Sequence, residues 1–173
     1  IAFDRDASRI EVSQPVALDF GGFGKGFALD RACAVLREKG VVSACLSAGE
    51  SSIAVVGEHP LSGGWPFSIS HPLRRDEILV ELEPTDESVS ISSTVGAGTA
   101  APERAAMIRP TDATIISAPR YAVAVDPLGA HAEAISTALL VADEERAERL
   151  LNGDRTRRFL FDFLRGTAIP DQS

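Results

Sequence analysis

Residues 18–30, running from Leu18-Asp19-Phe20 through Gly21-Gly22-Phe23-Gly24-Lys25-Gly26 to Asp30, place four glycines and a lysine at the start of an amphipathic stretch. Glycines at a strand-to-helix turn let the backbone approach a ligand closely. A helix N-terminus presents N–H groups and a partial positive charge, and Lys25 adds a full one. That chemistry suits an anion, most simply a phosphate or diphosphate. The spacing belongs to neither common phosphate loop. No Ser or Thr follows Lys25, and the last glycine is not preceded by the two residues of a dinucleotide fingerprint. The same glycines equally suit a helix packed tightly against a sheet, and both readings stand. A second candidate is His131-Ala-Glu133-Ala-Ile-Ser136-Thr137. Glu133 and Thr137 are four apart, so a helix stacks their oxygens on one face, a hard-oxygen pair suited to Mg2+ with water and phosphate. The plainer reading is a first-turn Glu favoured by the helix dipole and a Thr bonded back to a carbonyl. His131 reads as a capping or surface histidine.

The elements that must position these residues follow from periodicity. Pro15–Leu18 reads as a strand, and the helix after the glycines carries Leu29, Ala32, Cys33 and Leu36 inward and ends at Gly40. Strands are expected at Val41–Leu46, Ser51–Val56, Trp65–Ser70 and Ile78–Leu82, the last with Ile78, Val80 and Leu82 on one face, and more weakly at Val89–Ser92. Gly96–Arg104 reads as an irregular loop. Further strands are expected near Met107–Arg109, Thr114–Ser117, Tyr121–Val125 and Arg158–Phe163. Helices are expected over Ala130–Val141, with Ala132, Ile135 and Leu139 inward, and over Asp143–Leu151, with Asp143 as N-cap. Consecutive strands with a few helices indicate an α+β fold, a largely antiparallel sheet flanked by helices, in a single domain over residues 1–173.

Composition narrows the function classes. The chain has 173 residues, 45% of them apolar and 24% charged, enough for one sizeable core. A net charge of −8, with Arg155-Thr-Arg-Arg158 the only basic cluster, argues against a nucleic-acid surface. No run reaches the roughly 18–20 apolar residues of a membrane span. The start, Ile1-Ala-Phe-Asp-Arg-Asp, shows no signal peptide and no Met, so a processed form or a fragment is expected. Cys33 and Cys45 both read as small buried hydrophobes, with a disulfide between them left open as the alternative.

Asp19-Phe-Gly-Gly-Phe-Gly-Lys-Gly-Phe-Ala-Leu-Asp30 resembles the signature of the ApbE family, the FAD:protein FMN transferases. The resemblance continues in order through Gly40-Val-Val-Ser-Ala-Cys-Leu-Ser-Ala-Gly-Glu-Ser51 and Gly57-Glu-His-Pro60. It runs on through Trp65 and His71-Pro72 to Ala132-Glu-Ala-Ile-Ser-Thr-Ala-Leu139, spanning roughly residues 10 to 165. It implies an ApbE-like fold and Mg2+-dependent transfer of FMN from FAD to a Thr hydroxyl of an acceptor flavoprotein, releasing AMP. By the resemblance, Asp19, Gly21, Gly22, Lys25, Gly26, Glu50 and Ser51 would line the cofactor site, and Gly22, Glu133 and Thr137 would hold the metal. It also implies a periplasmic or membrane-anchored location, although no lipid-anchor motif is visible.

Three departures from the family pattern stand out. Glu133 replaces its metal aspartate. Ala106-Met-Ile-Arg-Pro-Thr-Asp112 stands where its His-x-hydrophobic-Asp-Pro-x-Thr-Gly segment is expected, with Arg109 in place of the acid. The N-terminal part of the family pattern, which contributes to the flavin pocket, lacks a counterpart, so self-association or a partner chain is expected to complete it. The alternatives to transfer are a non-catalytic flavin-binding or structural relative and an FAD pyrophosphatase, in which water replaces the Thr hydroxyl.

Overall fold

Strand residues of alternating size build one sheet with two unlike faces. The computed structural model describes residues 2–95 and 107–163. The chain order is β1 (Ala2–Asp4), β2 (Arg9–Glu11), α1 (Gly24–Glu38), β3 (Ala44–Ser47), β4 (Ser52–Val56), β5 (Phe67–Ser70), β6 (Ile78–Leu82) and β7 (Ser88–Ser93). It continues with β8 (Met107–Ile108), β9 (Ile115–Ile116), β10 (Arg120–Asp126), α2 (Gly129–Val141), α3 (Glu144–Asn152) and β11 (Arg158–Asp162). A five-stranded sheet runs in the order β11-β10-β7-β4-β3, with every neighbouring pair antiparallel. The α+β expectation holds.

On one face, β4 and β10 offer small side chains to the helices. Leu29 and Cys33 of α1 pack on Ala54 and Val56. Leu139 and Leu140 of α2 pack on Ala122. On the other face, the hairpin β5–β6 covers the sheet, and Ile69, Val80 and Leu82 meet Val89, Val123, Val125 and Phe161. Burial of both faces explains why Ala122–Val125 is an unbroken apolar run.

Several details differ from the sequence reading. Pro15–Leu18 is exposed and outside any strand, since Pro15 has no N–H to give a ladder. Instead β1 and β2 form a separate hairpin before it. Ile78 is half exposed rather than aligned with Val80 and Leu82, because a register shift between Ile69 and Ser70 pairs Ser70 with Ile78 and passes over Leu79. Cys45 is exposed on the edge strand β3, so only Cys33 is buried, and both are free thiols. The weak candidate at Val89–Ser92 is the central strand β7. Asp143 caps α3, its side chain accepting from the Arg146 N–H. The expected loop at Gly96–Arg104 lies outside the described residues. Among the described residues, no helix is long and apolar enough to cross a membrane.

Candidate functional site

The site begins where α1 and α2 cross. Neither helix has a side-chain cap from the residue preceding it. Instead, each borrows a carboxylate from the other. Asp30 of α1 accepts from the N–H groups of Gly129 (2.6 Å) and Ala130 (3.0 Å) at the start of α2. Glu133 of α2 accepts from the Gly26 N–H of α1 at 2.7 Å. Negative charge at a helix N-terminus is favourable on both counts. The exchange needs close approach, and Gly26 permits it: a Cβ there would stand 2.1 Å from the Gly129 carbonyl oxygen. The tight-packing reading of the glycines therefore holds for Gly26, with a helix rather than the sheet as its neighbour.

Glu133 is the centre of a buried polar cluster. Its Oε1 lies 2.8 Å from the Lys25 Nζ and accepts from the Ser52 hydroxyl at 3.0 Å. Lys25 also donates to the hydroxyls of Ser51 (3.0 Å) and Ser52 (2.8 Å). The Glu133 side chain is 3% exposed and that of Lys25 is 45% exposed, so the lysine forms the outer wall of the cluster. Burial pushes the Glu133 carboxyl upward. The Gly26 N–H, the Lys25 ammonium and the Ser52 hydroxyl outweigh that burial and hold it below the usual carboxylate range. The anion met by the first turn of α1 is thus the chain's own carboxylate.

One helical turn further along α2 lies Thr137. It borders a cleft of about 730 Å³, also lined by Asp19, Gly21, Gly22, Ser92, Met107 and Leu140. A Cβ on Gly22 would stand 3.2 Å from the Thr137 Oγ1, so the glycine loop rests on this hydroxyl. Asp19 turns back to accept from the Gly21 N–H at 2.7 Å, which fixes the loop as an Asx turn. Behind the cleft, Ser136 meets the hydroxyls of Ser90 (3.0 Å) and Ser92 (2.8 Å), and Ser92 reaches toward the Thr137 Oγ1 at 3.4 Å.

Most of the expected site residues are therefore brought together. Gly22 and Thr137 are adjacent, and Lys25, Gly26, Ser51 and Glu133 form one cluster. Glu50 stands apart, lining a different cavity of about 620 Å³ with Ile53, His71, Arg75 and Tyr121. Arg109, which the resemblance sets against the family's acid, donates to the Val141 carbonyl (3.1 Å) and pairs with Asp112 (3.3 Å). Together with Arg120, which donates to the carbonyls of Leu140 and Ala142, it places positive charge at the C-terminus of α2. His131 is an exposed partner of Asp126.

The sequence reading assigned no role to Asp30, Ser52, Ser92 or Ser136. Asp30 closes the glycine motif, but its partners lie 99 and 100 residues away. The alternation Ser88-Val-Ser90-Ile-Ser92 was a usable signal for a strand with one polar face.

In kind, Glu133 and Thr137 of α2 offer a small hard cation one carboxylate and one hydroxyl. Among the described residues, no three His, Cys, Asp or Glu side chains gather to offer a richer site. Glu133 takes two donors on Oε1 and one on Oε2, so a cation beside Oε1 would meet the Lys25 ammonium.

The ApbE family model matches residues 1–161. The chain belongs to the ApbE family. No curated protein matches the sequence. Among solved structures, this family member resembles the ApbE protein of Thermotoga maritima with a TM-score of 0.72 and 21% identity, over 96% of this chain and 55% of that one. It resembles the flavin transferase ApbE of Vibrio cholerae with a TM-score of 0.64 and 20% identity, over 84% and 46%. The apo flavinyl transferase ApbE of Pseudomonas stutzeri gives 0.62 and 19%, over 84% and 49%. At these identities the likeness concerns the fold, and the chain spans about half the length of these proteins.

Proposed function

We propose that this chain, as a single ApbE-like domain, provides the metal- and diphosphate-binding part of an FAD:protein FMN transferase. The observation that carries this reading is the contact of Gly22 with Thr137, and the joining of Lys25 and Gly26 to Glu133 where two helices cap one another, with Ser51 accepting from Lys25. In the reaction, a Thr hydroxyl of an acceptor flavoprotein bonds to the phosphorus on the FMN side of FAD. The bond from that phosphorus to the bridging oxygen breaks, AMP leaves, and the hydroxyl proton is released. Asp19, Gly21 and Gly22 shape the loop that receives the diphosphate, and Lys25 and Ser51 offer it donors. Glu50 lies off this loop and would meet a more distant part of the cofactor. Glu133, Thr137 and the Gly22 carbonyl would hold Mg2+, which would supply positive charge to offset that of the phosphate oxygens. Self-association or a partner chain belongs to the same proposal, supported by the exposed apolar side chains of Phe3, Val16, Leu18, Phe20 and Phe27.

A second reading has its own support. Arg109 is committed to the end of α2, so that position supplies no acid or base, as expected of a flavin-binding relative without transfer. An FAD pyrophosphatase would need the metal but no acceptor. Flavin fluorescence quenching separates binding from its absence. FAD should quench with Mg2+ and recover with EDTA, and an unchanged signal under both conditions would overturn the proposed function.

A further inference from the structure

We infer that Lys25 is an internal cation that competes with the divalent ion for Glu133, so that loading the metal and freeing the lysine are one exchange. This inference rests on the metal site proposed above. Of the three donors on Glu133, Lys25 is the one that is both charged and mobile. The Gly26 N–H is locked in the helix crossing, where even a Cβ would stand 2.1 Å from the Gly129 carbonyl. Ser52 is 1% exposed within β4. Lys25, by contrast, stands on a flexible four-carbon stem, is 45% exposed and covers the carboxylate from outside. A divalent ion beside Glu133 with the ammonium still in place would set like charges together in a poorly solvated site.

Once displaced, the ammonium remains beside Ser51 at the first turn of α1, where it can meet a phosphate. Metal and diphosphate should therefore bind with positive coupling, each favouring the other by the same factor. The longer Glu133 side chain suits this device. A shorter carboxylate would retract by about one bond length from Gly26, Ser52 and Lys25 together.

The test uses Mn2+ alone, without FAD or acceptor, followed by the loss of its free electron-spin-resonance signal. Lys25→Met should bind Mn2+ about tenfold more tightly than the wild type, since no buried ion pair must be broken, whereas Lys25→Arg should bind no more tightly. Equal or weaker binding by Lys25→Met would overturn the exchange. A second measurement needs no variant, because Lys25 and Lys39 are the chain's only lysines. Brief acetylation should label Lys25 several-fold faster with Mg2+ than with EDTA, relative to Lys39 as internal reference. An unchanged ratio would contradict the proposal even if Lys25→Met failed to fold. Glu133→Gln tells the two failures apart. If it leaves Mn2+ binding untouched, the metal site itself is wrong; if it abolishes binding while Lys25→Met does not tighten it, only the exchange is wrong.

Discussion

The two faces of the central sheet spend the same strands differently. Beneath the β5–β6 hairpin, Val89, Val123, Val125 and Phe161 form an apolar core without a charged member. Beneath the helices, the same strands turn Ser52, Ser90, Ser92 and Ala122 toward α1 and α2, and the space is closed by Glu133, Ser136 and hydrogen bonds. The apolar face gains stability by removing surface from water and tolerates no lost volume. The polar face contributes less per contact, because every buried oxygen must find a donor, but it fixes a single arrangement of Gly22, Lys25, Glu133 and Thr137. Within one small fold, one face holds the scaffold and the other holds the candidate site.

The sharpest way to break this contrast is Phe161→Ala. It should cost about 4 kcal/mol by chemical denaturation while leaving metal affinity unchanged in the folded protein. A change in metal affinity as large as the loss of stability would mean that the two faces are not separable. Gly26→Ala should cost about 3 kcal/mol, because α1 must move off α2, and should also abolish Mn2+ binding. Acid sharpens the comparison further. Glu133 is held below its ordinary value of 4.5 in the folded state, so its stabilisation is complete above that value and lost as pH falls through the lower folded one. Thermal melts should therefore show the wild type losing stability on acidification below 4.5 more steeply than Glu133→Gln; parallel curves would refute the pairing. The smallest effect is expected for Asp30→Ala. Losing the cap of α2 should cost roughly 1 kcal/mol and weaken Mn2+ binding several-fold, since α2 carries both Glu133 and Thr137.

Much of the scaffold was legible because it obeys local periodicity. Leu29 and Cys33 at helical spacing found Ala54 and Val56, Asp143 announced α3, and Gly40 closed α1 with a φ of +79°. What escaped depends on pairing. Pro15–Leu18 has the composition of a strand but no partner, and the face of Ile78 was changed by an irregularity set in the neighbouring strand β5. At the site, residue types and the i, i+4 spacing placed Glu133 and Thr137 correctly on one helix. That Glu133 would be claimed by Gly26, 107 residues earlier, is a tertiary fact that no local pattern carries. Arg109 was visible as a departure, yet its use at the end of α2 emerged only from the fold.

The most direct test of the central claim is mass analysis of FAD incubated with the protein and an acceptor flavoprotein domain, with Mg2+ or with EDTA. The expected result is AMP released in step with FMN gained on an acceptor threonine, in Mg2+ only, and lost in Glu133→Gln. FAD recovered intact with Mg2+ present would contradict the account.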